Sequence, residues 1–411
     1  MADILDFGGE PIFDDRIVKY EFHTYNPYVN TTFGHSDEIR IPIQQQDLYT
    51  LPCESCLYVE GRLTSKEEEN AEQRPKLGIN CVAFMFEEIR YELNGSEIDR
   101  NRNVGITTLL KGYSTHSADF THQMENAGFV HPVFDYDVRR LVTEDGYFSF
   151  YVPLHMLFGF CEDYKRVVIN ARHELILIRA RNDNNCIVGD AAKEPKLELF
   201  KIQWRMPHVT LNEVNKLSML RILENGRYLS MSFRSWDLYE YPLLPSTTKH
   251  SWAIKTATQL EKPRYVIFAL QTNKKNNMSV HKTFLDNCKL TNVKLYLNSE
   301  FFPYDDLNLD FDKNRTAILY DMFVRFRTSY YQILRERSET LFKTDAFRKM
   351  FPMVIIDCSR QNESVKSGTV DVRLEFEFKE NVPANTTAYC LIIHDRVIEY
   401  SPMSNVVRKI T

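Results

Sequence analysis

The sequence predicts an all-β fold: two tandem jelly-roll β-sandwiches with a few inserted helices. Three observations carry this. Apolar residues alternate strictly with polar ones in several short runs. The runs recur in the same order in the two halves of the chain. Each half supplies about eight strands, the number a jelly roll needs.

Ile39, Ile41 and Ile43 alternate with Arg40 and Pro42. Ile89, Tyr91 and Leu93 alternate with Arg90 and Glu92, and Asn94-Gly95 follows, a pair that accepts positive φ and marks a hairpin. Val293, Leu295 and Leu297 form a third run. Val370, Val372, Leu374, Phe376 and Phe378 form the clearest half-buried strand. Helices are few. Thr210-Leu211-Asn212-Glu213 reads as a capping box, with Leu217, Leu220 and Leu223 at helical spacing and Asn225-Gly226 as the stop. Asp321 to Met350 is a second helical segment, with Met322, Phe323, Phe326, Tyr330, Leu334 and Leu341 on its apolar side and a break near Ser338 or Thr344.

Six segments pair across the halves. Arg16–Phe22 matches Arg227–Phe233, Ile39–Ile41 matches Trp252–Ile254, and Cys56–Val59 matches Tyr265–Phe268. Ile89–Asn94 matches Val293–Asn298, Phe148–Val152 matches Pro352–Ile356, and Glu174–Ile178 matches Val372–Phe376. The offset is 211 residues for the first pair and 204 for Asn94 and Asn298, close to half of 411. The expected units are 1–210 and 211–411, divided at the helix after Thr210. Each half also carries a longer, partly helical insertion at its middle, Gly105 to Phe129 and Ala317 to Met350.

Composition narrows the function. With 411 residues and 43% hydrophobic content the chain exceeds one comfortable core. A net charge of −5 gives no global field for nucleic acid. Met1 to Asp15 holds Asp3, Asp6, Glu10, Asp14 and Asp15 and no Lys or Arg, so no basic arm is expected there. The start reads as no secretory signal, and no apolar run approaches the ~18 residues of a membrane helix. Reduced thiols are therefore expected for the eight cysteines, and the sequons at Asn30, Asn94 and Asn385 are read as chance. The 27 Phe and 22 Tyr suit strands and large interfaces alike. Tyr20 to Tyr28 and Tyr228 to Tyr241 are the candidate interface anchors.

The residues quoted next carry a family resemblance. Asp37–Ile43 runs into Gln44-Gln45-Gln46-Asp47 and Tyr49–Pro52. Phe86–Asp99, Val152–Phe160, Glu162-Asp163-Tyr164, Trp204–Pro207 and Glu261–Val266 follow in order. This ordered set resembles the double jelly-roll major capsid, or hexon, proteins of Polinton/Maverick- and adintovirus-like eukaryotic DNA elements. The resemblance runs from about Ile17 to the carboxyl end. It implies two jelly rolls side by side, three chains per pseudo-hexagonal capsomer, an icosahedral shell and a virion location. A penton or minor capsid protein is the implied partner, with no strong direct nucleic-acid binding. The chain is compact for such a family, which implies small outer towers.

No catalytic, cofactor-binding or metal site is expected. Cys53-Glu54-Ser55-Cys56 has CxxC spacing but lacks a second ligand pair. His116, His122 and His131 match no metal spacing, and His23 and His35 only flank the Asn30 loop. Asp305, Asp306, Asp310 and Asp312 lack the glycine of a calcium loop. Arg325, Arg327, Arg335, Arg337, Arg348 and Lys349 are interleaved with Glu336, Glu339 and Asp345, the pattern of a solvated face rather than a phosphate-binding one. Glu67-Glu68-Glu69 and Glu72 form a charged loop. Gly112-Tyr113-Ser114 and Gly159-Phe160 read as turns. No G-x-S-x-G or P-loop pattern is present. Two other classes compete with the shell subunit: an enzyme on paired jelly rolls, and a ligand- or sugar-binding module or domesticated capsid remnant. A module of that kind stays monomeric or dimeric; a shell subunit does not.

Overall fold

The computed structural model describes residues 16–29, 32–44, 49–66, 74–133, 141–224, 226, 228–254, 263–334, 338–360 and 370–410. Met1–Asp15, Asn30 and Thr31 of the first sequon, Glu67–Glu72, Glu261-Lys262, and Arg335, Glu336 and Arg337 lie outside them.

The first sandwich is built from β1 (Ile17–Tyr25), β2 (Glu38–Ile43), β3 (Cys56–Thr64), β4 (Phe86–Leu93), β5 (Ser96–Arg102), β6 (Tyr147–Pro153), β7 (His173–Arg179) and β8 (Lys196–Leu211). The second uses β9 (Leu229–Tyr241), β10 (Lys249–Ile254), β11 (Pro263–Thr272), β12 (Leu290–Leu297), β13 (Glu300–Phe302), β14 (Met353–Asp357), β15 (Val372–Phe378) and β16 (Thr386–Ser401), with β17 (Val406–Ile410) added on β16. Two-residue strands at Tyr49–Thr50 and Val168–Ile169 extend the first large sheet.

The pairing repeats strand for strand. In the first sandwich the sheets run β1-β8-β3-β6 and β2-β7-β4-β5; in the second they run β9-β16-β11-β14 and β10-β15-β12-β13. Every ladder is antiparallel. This is the jelly-roll arrangement twice over. All six segment pairs read from the sequence fall on equivalent strands. The ladders keep three in the same register: Leu57 faces Val152 as Val266 faces Ile356, and β4 sits in its sheet as β12 does. The other three slide. Tyr91 faces Leu175 and Leu295 faces Leu374, so Leu175 corresponds to Leu374 rather than to Arg373. Leu175 and Leu374 in turn face Ile41 and Trp252, which shifts the β2 pair by two residues. The β1 pair shifts by one, since Tyr25 faces Trp204 where Asp237 faces Ile392. A slip of two leaves the alternation unchanged, while the one-residue slips fall on β7, buried along nearly its whole length, and on β1, exposed along nearly its whole length, where there is no alternation to align on.

The alternating runs behave as their period dictates. Ile39, Ile41, Ile89, Tyr91, Leu93, Leu295, Leu374 and Phe376 are completely buried between the sheets. Trp204 and Tyr91 meet edge to face at 5.6 Å in the first core, and Phe268 meets Phe376 at 4.9 Å in the second. The hairpin at Asn94-Gly95 forms, both residues at positive φ.

Besides short helices at Cys81–Phe84 and Ala118–Gln123, the described residues form α1 (Val104–Thr115), α2 (Gly159–Asp163), α3 (Glu213–Glu224), α4 (Ala317–Tyr331) and α5 (Thr344–Met350). They correct four readings. Thr210 and Leu211 belong to β8, so Asn212 caps α3: its Oδ1 accepts the Asn215 N–H at 2.8 Å. The Asp321–Met350 helix begins earlier, at Ala317, and breaks at Gln332 in the left-handed region, before Ser338. Its buried stripe is Leu319, Phe323, Phe326 and Tyr330, while Leu334 is exposed. Gly112-Tyr113-Ser114 lies inside α1, and Gly159-Phe160 opens α2; neither is a turn. α1 follows β5 and α4 follows β13, so the insertions occupy matching places.

Candidate assembly surfaces

The chemistry-bearing side chains converge where the two sandwiches meet. β9 pairs with β16 along residues 229–241, and the far end of this ribbon reaches onto the first sandwich. Met231, Ile398 and Tyr400 are fully buried and Phe233 is 3% exposed. Phe233 packs edge-on to Phe160 at 5.3 Å, and the Tyr400 hydroxyl donates to the Ile169 carbonyl at 2.9 Å. Ser235 Oγ donates to Asp99 of β5 at 2.8 Å, and the Phe160 N–H donates to the same carboxylate at 2.9 Å. Arg396 of β16 donates to the Ile98 carbonyl at 3.2 Å.

Helix α2 is the clamp. A Cβ on Gly159 would lie 1.6 Å from the Arg234 carbonyl oxygen, so only glycine lets β9 approach this closely. One turn on, Asp163 accepts from Arg234 Nε and Nη2 at 2.8 and 2.6 Å, a two-pronged charged contact. The Arg234 guanidinium also lies 3.5 Å from the Tyr330 ring centroid. Glu162 accepts from Lys111 Nζ at 2.9 Å, from Tyr330 at 2.7 Å and from Tyr331 at 2.9 Å. Lys111 sits over Trp236 and Tyr330 at 4.6 and 4.4 Å. α1, α2, β9 and α4 thus share one ionic and aromatic network. Burial pulls the Lys111 ammonium below its usual value against the attraction of Glu162. Burial alone would raise the Glu162 carboxyl, but Lys111, the Tyr330 hydroxyl and Arg234 outweigh it and hold it low.

Asp99, Gly159, Phe160, Glu162 and Asp163 fall in the segments Phe86–Asp99, Val152–Phe160 and Glu162–Tyr164 that carry the family resemblance. Their roles in joining the sandwiches were not legible beforehand. Lys111, Arg234 and Tyr330 carried no signal beyond ordinary helix and strand patterning. Glycine at 159, read as a turn, was the one local hint of a close approach.

The other candidates do not converge. Cys53 and Cys56 are buried thiols, pushed up to about 11 mainly by burial. Cys288 is half-buried and the other seven cysteines are buried. His116 packs on Phe120 and Phe129, His122 pairs with Glu125, and His131 faces the Leu341 carbonyl. His35 meets Asp183 at 2.8 Å while His23 stacks near His208. Asp306 pairs with Lys294, and Asp310 and Asp312 pair with Lys379. Arg325 pairs with Asp321, and Arg348 and Lys349 with Asp345. Arg327 donates to the Thr115 carbonyl at 2.9 Å. Among the described residues no group of three His, Cys, Asp or Glu could hold a metal, and no helix is long and apolar enough to cross a membrane.

The two anchor segments part company. β9 is spent at the internal junction. β1 is exposed along eight of its nine residues, with Ile17, Val18, Tyr20 and Phe22 between 41% and 66% accessible. Such apolar exposure on a free strand marks a contact surface.

Paired jelly rolls joined by a buried ionic and aromatic junction define a tandem-sandwich protein. The match to the model of the double jelly roll-like domain covers residues 75–398, and the chain belongs to that family. By sequence, no curated protein matches it. Its fold is similar to a chain of the Sputnik virophage cryo-EM structure, at TM-score 0.64 and 9% identity, covering 100% of this chain and 92% of that one. VP54 of PBCV-1 superposes at 0.61 with 13% identity over 98% and 99% of the chains. The mavirus major capsid protein superposes at 0.56 with 10% identity over 95% and 90%.

Proposed function

We propose that this chain is a major capsid protein, a structural subunit and not an enzyme. In this reading three copies form a pseudo-hexameric capsomer, and capsomers tile an icosahedral shell closed by a penton or minor capsid protein. The virion location, the weak direct contact with the genome, and the Polinton/Maverick- and adintovirus-like kinship belong to the same proposal. So does the division into 1–210 and 211–411, which is supported by α3 lying between β8 and β9.

The observation that carries the reading is the repeated sheet order in one chain. Two sandwiches of the same sheet order per chain let a threefold assembly fill sixfold positions. The likeness to chains of virophage and PBCV-1 structures supports it. The test is the mass of the purified protein by light scattering, with negative-stain imaging of the same fraction. The expected result is a trimer or hexagonally tiled particles. A clean monomer at high concentration overturns the reading in favour of a binding module or a domesticated remnant.

A further inference from the structure

A cavity of about 400 Å³ lies beside the ionic network, where the insertions of the two sandwiches meet. Its walls come from both halves of the chain. The first half supplies α1, the short helix Ala118–Gln123 and the residues leading into α2; the second supplies β9 and the end of α4. A space of this size suits a small organic molecule.

Three polar groups on these walls are left short of partners. Trp236 is 2% exposed, and its Nε1–H meets no acceptor among the described residues. His116 Nδ1 is likewise buried and unpartnered. Burial pushes this ring down to about 3, so it is uncharged near neutral pH and one tautomer offers an Nδ1–H. Arg327 donates only to backbone carbonyls, that of Thr115 at 2.9 Å and that of Glu339, and no described carboxylate pairs with it. Buried donors without acceptors are costly, and three around one space call for acceptors inside it. Glu162 borders the same space, but its oxygens already accept from Lys111, Tyr330 and Tyr331. The charge left unanswered is the positive charge of Arg327. Phe120, Met156 and Ile333 make the remaining wall apolar.

We infer that this cavity binds a small monocarboxylate with an apolar body. The carboxylate oxygens accept from Arg327 and from the ring N–H groups of Trp236 and His116, and the apolar body lies against Phe120, Met156 and Ile333. One negative charge matches the one guanidinium, and a guanidinium suits a carboxylate in particular because its planar fork donates twice. A cation of the same shape meets Arg327 and Lys111 and is refused. Because the walls belong to both sandwiches, the bound molecule ties them together and stabilises the folded chain. The inference goes beyond the capsid reading and does not depend on it.

The full-length protein is titrated with octanoate, octylamine and octanol by calorimetry, and melting midpoints are followed at the same concentrations. The expected result is one octanoate per chain, a higher melting midpoint with octanoate, weaker binding of octanol and none of octylamine. Arg327→Met should weaken octanoate by about tenfold or more, as the loss of a charge-assisted hydrogen bond does, and leave octanol unchanged. Trp236→Phe keeps a ring, removes the N–H and should also weaken octanoate; it carries the comparison if Arg327→Met melts early for want of its Thr115 contact. A parent that takes up no octanoate, or takes up octylamine equally, overturns the inference and leaves water as the filling of the cavity. Octanoate binding that neither variant weakens places the ligand elsewhere and overturns it too. Stoichiometry is read per chain, so each outcome is independent of whether the protein is a trimer.

Discussion

Asn94 and Asn298 close the same turn in the two sandwiches. Both are left-handed, at φ 49° and 54°. Each backbone N–H donates to the residue just before the next sheet neighbour, Arg172 at 2.8 Å and Asp371 at 3.0 Å. Each side-chain oxygen accepts the N–H of that same residue, at 2.8 and 2.9 Å. Asparagine suits both demands, since it tolerates positive φ and carries the acceptor.

Replacing either by alanine removes one hydrogen bond and strains the backbone, so Asn298→Ala should destabilise by about 1–2 kcal/mol. Asn94→Ala should cost about 1 kcal/mol more, because Asn94 Nδ2 also donates to the Asn405 carbonyl at 3.1 Å, across the sandwiches. Glycine at either position should recover the backbone part. Denaturant midpoints of the four variants check this.

Gly159 tolerates no side chain. Gly159→Ala would drive a methyl into the Arg234 carbonyl and should destabilise by about 3 kcal/mol or more, or prevent folding. Gly95→Ala, with open space around it but φ of +77°, should cost only about 1 kcal/mol. Thermal melts of the two proteins side by side give the contrast.

The Lys111–Glu162 pair should show strong non-additivity. Lys111→Met or Glu162→Gln alone leaves a buried charge without its partner and should destabilise by about 3–5 kcal/mol. The double variant should lose much less than the sum of the two. A double-mutant cycle in denaturant measures the coupling, and additive losses would refute a tightly coupled pair.

Acid should loosen the first core through His173. This ring is fully buried, with Tyr91 and Thr50 hydroxyls each 2.8 Å from a ring nitrogen. Burial pushes it down to about 3. In the unfolded chain it titrates near 6.5, so below about pH 6.5 the unfolded state takes up a proton that the folded state refuses. Its contribution is complete above that pH and falls by about 1.4 kcal/mol per pH unit towards 3. A pH series of unfolding free energies should show this slope, and His173→Gln should reduce it by one proton.

Much of the fold was legible because its signals are local. Burial on one face of a strand imposes the alternation of Ile39–Ile43 and Val372–Phe378 whatever their partner, and Asn94-Gly95 announces its own hairpin. The order of the duplicated segments then identified equivalent strands. Register was not legible: Leu175 pairs in its sheet as Leu374 does, one place from the sequence match, because β7 is buried along nearly its whole length and offers no alternation to align on. The start of α3 was misplaced for a related reason. The capping pattern at Thr210 was overridden by the ladder that keeps Thr210 and Leu211 in β8 beside β1.

By itself the sequence determined an all-β chain with two similar halves, matched mid-chain insertions and no local motif for catalysis. Tertiary structure alone decided which aromatic strand is spent and which is free. β1 and β9 carry comparable apolar residues, yet Phe233 is buried against Phe160 while Phe22 is open to solvent. It also brought Lys111, Glu162, Asp163, Arg234 and Tyr330 together from four separate elements. Burial and charge pairing depend on distances between segments far apart in the chain, and no spacing along the sequence records those distances.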